Sequence, residues 1–257
     1  MNGSPSWYLD PLVAEQKRRV HQHWLRSAAG DRPQDIVLKT DLFEEAYGAD
    51  RIFDDLFPSA CLAAGMDLNC QTVLAADCRY ACAFQAMACD VRRLALRSES
   101  VDIVVSTSTL DHFQARADIG LSLDEITRVL RPGGVLLLTL DNPWNPLYHV
   151  LRWMSHRGWM PFELGETASL ESLERMLKDR GLRIQNTAYL IHNPRGISTV
   201  LFLSLRKLLG KVGDFPIRTL LSGFALLGKL PSGAITGCFL AVSAVKPYST
   251  VAGRHAD

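Results

Sequence analysis

The stretch DEITRVLRPGGVLLLTLDNP, residues 124–143, sets a helix against a strand across a proline–glycine turn. Extended back to Ser122, its first part places Leu123, Ile126, Val129 and Leu130 on one helical face. Ser122 and Glu125 stand at capping-box spacing, which predicts a helix starting there, and Pro132, Gly133 and Gly134 supply its stop. The nearly unbroken apolar run VLLLTL then reads as a strand covered on both faces.

Working outward, the same alternation recurs. DIVLKTDLF, ADRIFDDLF, ACLAAGMDL, CQTVLAADCRY, CAFQAMACDV and VDIVVSTSTL precede the stretch, short apolar runs interleaved with helical patterns. SLESLERMLKDRG follows it with Leu170, Leu173, Met176 and Leu177 on one face, ends at Gly181, and leads into the strand-like LRIQNTAYLI. Strand and helix in turn predict an α/β fold with a mostly parallel sheet between helical layers. An amphipathic helix over residues 10–29, carrying Leu12, Val13, Val20, Trp24 and Leu25 and closed by AAGDRP, is expected to cap the domain or lie over a pocket. ISTVLFLSLRKLLGKV and IRTLLSGFALLGKL read as two apolar helices with basic residues between them, and SGAITGCFLAVSAVKP, from Ala234 to Val245, as the last strand.

At 257 residues one sizeable core suffices, and the reading is a single domain: a helical cap over 1–35, a core over 36–195, a helical insertion over 196–231, and a last strand and tail over 232–257. Twenty-eight basic against 27 acidic residues give a net charge of +1, which offers no electrostatic reason for a nucleic-acid partner. The six cysteines form no C-x-x-C pair and read as buried, reduced thiols. The start of the chain has no secretory pattern and no window is apolar enough to span a membrane, so the expected compartment is the cytoplasm. No pair of histidines has metal-ligand spacing, and His21 and His23 are expected on a solvated helix face.

Four strings in this order resemble a class I S-adenosylmethionine-dependent methyltransferase of the small-molecule type: residues 124–143; AAGMDLN, residues 63–69; MACDVRRLALRSESVDIVVSTSTLDHF, residues 87–113; and the helix–strand pair between Leu170 and Leu190. The resemblance covers residues 36–194 and implies a Rossmann-like, doubly wound sheet of seven strands with S-adenosylmethionine as cofactor. It places Asp67, with Leu68, at the ribose, and Asp90, with Val91, near the adenine. Ser106 and Thr107 leave the fourth strand toward the meeting point of cofactor and acceptor. Residue chemistry leaves a second reading open for each acid: Asp67 with Asn69 can cap the following helix, and Asp90 can be an exposed turn acid.

The stretch VLKTDLFEEAYGADR, residues 37–51, departs from that family, whose first strand ends in an acid followed by glycines that let backbone approach the methionine part. Taking Asp41 as the acid puts Phe43, Glu45 and Tyr47 at the glycine positions; sliding toward Lys39 puts Asp41 and Phe43 there, and Gly48 is the one glycine in the stretch. Both registers fit. The cofactor is cationic and its demethylated product neutral, so an acidic loop favours the former. One of Glu44 and Glu45 is expected to face water in a helix's first turn, and a cofactor contact is expected for Asp41 or the other glutamate. A diphosphate cofactor would be repelled here.

On the acceptor side His112 is the candidate base, with Asp111 beside it, and Asn142, Trp144, Tyr148, His149 and His192 are candidate pocket residues; the alternative reading of the 142–153 stretch is a turn followed by an ordinary amphipathic helix. The expected acceptor is a small, rather apolar molecule, methylated at oxygen. The insertion reads as a helical pair over the crevice, and its apolar–basic pattern also suits an apolar lid or contact with a membrane surface. Two rival readings of the glycine-poor loop are a fold that uses the bound sulfonium for cyclisation or rearrangement, and a catalytically silent partner subunit.

Overall fold

The computed structural model describes residues 10–30, 35–48, 62–80, 84–159 and 163–248. The expected apolar run at 49–57, Cys61, Cys82, the turn at 31–34 and the tail beyond 248 lie outside these residues.

Seven strands form one sheet in the order β3-β2-β1-β4-β5-β7-β6, from β1 (Ile36–Lys39), β2 (Leu62–Asp67), β3 (Gln85–Ala88), β4 (Val101–Thr107), β5 (Leu130–Asp141), β6 (Arg183–Leu190) and β7 (Phe239–Val245). The first five run parallel; β7 enters antiparallel between β5 and β6, pairing Asp141 with Phe239 and Val135 with Val245. One face is covered by α1 (Pro11–Ala29) and α3 (Cys70–Tyr80), through Trp24, Leu25, Val73, Ala76 and Tyr80. The other is covered by α4 (Arg116–Val129) and α6 (Leu170–Asp179), through Ile119, Leu123, Ile126, Leu173 and Leu177. The expected α/β fold with an N-terminal helix is the fold observed.

Caps agree with sequence where the side chain sits just before the apolar face. The Asp10 carboxylate accepts from Leu12 N–H at 2.9 Å to start α1, the Asn145 side-chain oxygen from Leu147 N–H at 3.0 Å to start α5 (Pro146–His156), and Ser169 caps α6. Gly181 follows α6 with φ +75°, the left-handed conformation that glycine adopts at least cost.

Four expectations are corrected. Helix α4 begins at Arg116, so Ser122 lies inside it and donates to Asp118 O at 2.8 Å, while Glu125 accepts from Leu94 N–H at 2.7 Å; Ile119 extends the apolar face a turn earlier than the capping pattern implied. That helix ends at Val129, and the Pro132–Gly134 turn already belongs to β5, where Gly133 N–H reaches Lys246 O at 2.7 Å. The last strand starts at Phe239, because residues 233–236 form a short helix, α9 (Gly233–Thr236). Cys70 and Cys78 are exposed on α3, leaving Cys238 as the buried thiol among the described residues.

The insertion forms α7 (Ile197–Leu209), a 3-10 turn (Gly210–Gly213) and α8 (Asp214–Leu227). Phe202, Ile217 and Leu221 pack on Val13 of α1, and Arg206 bridges Asp10 and Asp214.

Candidate functional site

A cavity of about 1000 Å³ opens at the carboxyl ends of the parallel strands. A smaller one of about 430 Å³ lies at the opposite end, beside Asp102, Gly133 and Arg183. Open α/β sheets bind ligands beyond the carboxyl ends of their strands, which makes the larger cavity the candidate site. Lys17 and His21 of α1 form one wall, the segment after β1 a second, Leu147, Val150 and Met154 of α5 a third, and the start of α7 the rim. Thus α1 lies over the pocket. His21 faces the cavity, correcting the expected solvated face: its Nδ1 meets Lys17 O at 2.9 Å, its ring lies edge-on to Phe239, and burial, with Lys17 nearby, lowers its pKa to about 4.

The segment after β1 is built around Lys39. The strand ends at that residue, and Phe43 opens the short helix that follows. Lys39 is 1 % exposed; its ammonium donates to Asp41 O at 2.5 Å and stands 3.7 Å from Glu45 Oε1. Glu45, fully buried, also accepts from the Tyr80 hydroxyl. It therefore points into the protein from α2 (Phe43–Tyr47), while Glu44, Asp41, Phe43 and Tyr47 line the cavity. Burial pushes the Asp41 carboxyl up, against the pull of the nearby Lys39 ammonium. Gly48 ends α2 in contact with Glu44, and its carbonyl accepts from Arg79 at 2.6 Å.

Asp67 ends β2 at the cavity. Its Oδ1 accepts from Asn69 N–H at 2.8 Å and its Oδ2 from Leu42 N–H at 3.2 Å, which orients the carboxylate and leaves a lone pair on each oxygen. The cap of α3 is Asn69, whose side chain accepts from Gln71 N–H at 2.8 Å. A ribose diol needs two acceptors held side by side, and Asp67 fits it. Asp90 is differently engaged: its carboxylate is gripped by Arg92 at 2.7 Å, a guanidinium that also meets Asp118, and this hydrogen bonding holds it below the usual carboxylate range.

Beyond β4 the chain turns at Ser108, with φ +49°, into a 3-10 turn (Leu110–His112) that carries Asp111 and His112 to the cavity. Asp111 is 3 % exposed; its Oδ2 accepts from Asp141 N–H at 2.7 Å, whereas Oδ1 is buried without a hydrogen-bond partner. Burial first, then the Asp141 carboxylate, push its pKa up to about 7. Asp141 is paired with the half-buried guanidinium of Arg195. His112 is exposed, and its Nδ1 stands 3.2 Å from Glu163 O, to which it donates.

Thr107 lines the cavity, whereas Leu68, Val91, Ser106, Asn142, Trp144, Tyr148, His149 and His192, like Asp90, Glu45 and Gly48, are not among the described residues that line it. Asn142 spends its amide on Ala234 O and Gly237 O, Tyr148 donates to Gly165 O at 2.9 Å, His149 meets Pro143 O, and His192 meets Thr236 and Tyr189 O. Trp144 is exposed. Sequence reading missed Asp141, Arg195, Lys17 and Gly165. Gly165 packs so tightly under the Leu110–His112 turn that a Cβ there would stand 2.3 Å from Phe113 O and 2.8 Å from Asp111 O.

The strand order, the crevice and an oriented acid at the end of β2 agree with the family comparison: residues 45–138 match the model of a methyltransferase domain. Over these residues the chain is similar to a methyltransferase domain, and its sheet has the Rossmann-like methyltransferase fold. Three solved structures share this methyltransferase fold. An S-adenosylmethionine-dependent methyltransferase from Archaeoglobus fulgidus is 15% identical with a TM-score of 0.58, covering 91% of this chain and 93% of its own. The N-methyltransferase NodS from Bradyrhizobium japonicum is 14% identical with a TM-score of 0.57, covering 93% and 99%. The [4+2]-cyclase SpnF is 14% identical with a TM-score of 0.57, covering 88% and 80%. No curated protein matches the sequence.

Proposed function

We propose that this methyltransferase uses S-adenosylmethionine to methylate a hydroxyl oxygen of a small, largely apolar acceptor. Asp67 holds the ribose, and Asp41 lies on the side of the methionine part. The cofactor supplies a methyl group on a sulfonium, which needs an aligned nucleophile and removal of one proton. Positioning accounts for much of the acceleration in such a transfer and a base for the remainder. The apolar side chains Leu147, Val150, Leu151, Met154 and Ile197 shape the acceptor end of the cavity and exclude water from it.

The observation that carries this reading is Asp111, a cavity-lining carboxylate with one oxygen already spent on Asp141 N–H and the other unpartnered. It is the group we assign to take the acceptor proton, in place of His112. A proton acceptor whose pKa lies near the working pH suits general-base catalysis. The test offers methyl-labelled S-adenosylmethionine and a panel of small phenols and alcohols to the whole chain. Label recovered on an oxygen of one of them supports the reading. Saturable cofactor binding with conversion of an acceptor but no label transferred would favour the sulfonium as an electrostatic catalyst.

A further inference from the structure

We propose that the insertion between β6 and β7 docks on an anionic lipid surface, with the rim of the cavity at the contact. Helix α7 is apolar on two sides. One side buries Phe202 against Val13, Ile217 and Leu221. The other repeats Ile197, Val200, Leu201 and Leu208 at i, i+3, i+4 and i+11, and these are exposed; Leu208 is 80 % exposed. Ile197 and Val200 also line the cavity, so the outward stripe is continuous with its rim. The turn and helix that follow add Val212 and Phe215, 77 % and 79 % exposed. Contiguous apolar surface of this kind marks a contact site.

Charge identifies the occupant. Residues 196–236 hold five cations, Arg206, Lys207, Lys211, Arg218 and Lys229, against one acid, Asp214, and that acid is paired with Arg206. Lys207, Lys211, Arg218 and Lys229 are exposed and take part in none of the described ion pairs. Apolar side chains ringed by cations suit the boundary between acyl chains and anionic headgroups. A second copy across a two-fold axis would set the same cations against one another. Another wall of the cavity, α5, exposes Trp153, with the Arg157 guanidinium 4.3 Å over its ring, and Trp159 packs edge-on against that ring. Tryptophan of this kind is at home at a membrane–water boundary. No helix among the described residues is long and apolar enough to cross a membrane, so the contact is with one leaflet.

Lipid docking is measured without turnover, so its failure and the failure of the methyl-transfer reading are separate results. The whole chain is floated with vesicles of phosphatidylcholine alone and with vesicles that also contain phosphatidylglycerol, at low and high salt. The wild type is expected to float with the anionic vesicles, less at high salt because the charges are screened. Lys207→Glu with Lys211→Glu removes two cations and is expected to weaken binding at least about thirtyfold. Leu208→Ser with Phe215→Ser is expected to abolish flotation at either salt, with circular dichroism unchanged. Absence of flotation, equal flotation with neutral vesicles, or equal flotation of the variants overturns the proposal. So does a dimer in sedimentation that these variants dissolve while the wild type ignores vesicles, which would make the surface an interface between copies.

Discussion

Asp111 accepts the Asp141 backbone N–H at 2.7 Å, and the Asp141 side chain in turn is held by Arg195, so two acids and one half-buried cation line the cavity together. Asp111 is the member of this cluster with an oxygen to spare. Asp111→Asn keeps an acceptor for Asp141 N–H and removes the proton acceptor. Methyl transfer is expected to fall roughly 10²- to 10⁴-fold, whereas His112→Asn stays within about tenfold of the wild type. In the wild type the rate should rise as pH passes through about 7, where Asp111 loses its proton, and this limb should vanish in Asp111→Asn. A limb retained in Asp111→Asn and lost in His112→Asn would return the role to His112.

The same shift has a stability consequence. Asp111 binds its proton more tightly in the folded chain than its ordinary value of 3.8, so its favourable contribution is complete below about pH 4 and declines as pH rises through about 7. Asp111→Asn cannot ionise, and its melting temperature relative to the wild type should therefore be higher at pH 8 than at pH 5. Scanning calorimetry at the two pH values checks the sign.

Lys39 and Glu45 form a buried pair. Lys39→Met leaves the Glu45 carboxylate without its ammonium and is expected to cost about 3–5 kcal/mol in urea unfolding, because an unpaired buried charge is expensive. Lys39→Met with Glu45→Gln keeps a group that can meet the Tyr80 hydroxyl and should recover most of the loss. Equal losses in the single and double variants would show that the pair is not the source.

Gly165→Ala would push a Cβ against the backbone of Asp111 and Phe113, neither of which can rotate away. Overpacking of this sort costs about 1–3 kcal/mol, and here the displaced segment carries the proton acceptor. Turnover is expected to drop with cofactor affinity unchanged, since Asp67 lies on another strand. Calorimetric titration alongside the rate measurement separates the two.

The parts of this architecture that sequence shows are those written in local periodicity. Leu123, Ile126 and Val129 repeat at helical spacing and the Val135–Leu140 run does not, so the α4–β5 unit is readable from residues alone. The S-x-x-E pattern at Ser122 misled because it occurs inside helices as readily as at their ends, and only the burial of Ile119 shows where the helix begins. The floor of the site was hidden for another reason: Asp111, Asp141 and Arg195 meet only once β4, β5 and the segment after β6 lie side by side. His21 was misassigned because its helix has polar residues on the cavity side as well as on the solvent side. Asp90 carried a local signal, Arg92 two residues on, which the structure shows as its ion-pair partner.

Asp41 lines the cavity with an ammonium 3.9 Å from its Oδ1. A carboxylate ~6 Å from a sulfonium is worth about 3 kcal/mol at an effective dielectric near 20, before desolvation and before the opposing Lys39 charge. Asp41→Asn should therefore weaken S-adenosylmethionine more than its neutral demethylated product. Competition calorimetry with both ligands decides this, and equal weakening would limit Asp41 to supporting the backbone of the loop, whose Phe43 N–H it accepts at 2.8 Å.

The central claim is that the crevice at the carboxyl ends of the strands holds S-adenosylmethionine through Asp67, and direct calorimetric titration of the wild type and Asp67→Ala tests it. The wild type should show saturable one-site binding, and the variant, lacking an acceptor for two hydroxyls, should lose about 1.5–3 kcal/mol of binding free energy with its fold intact. Wild-type protein that binds neither S-adenosylmethionine nor its demethylated product, or an Asp67→Ala variant that binds as tightly as the wild type, would contradict the account.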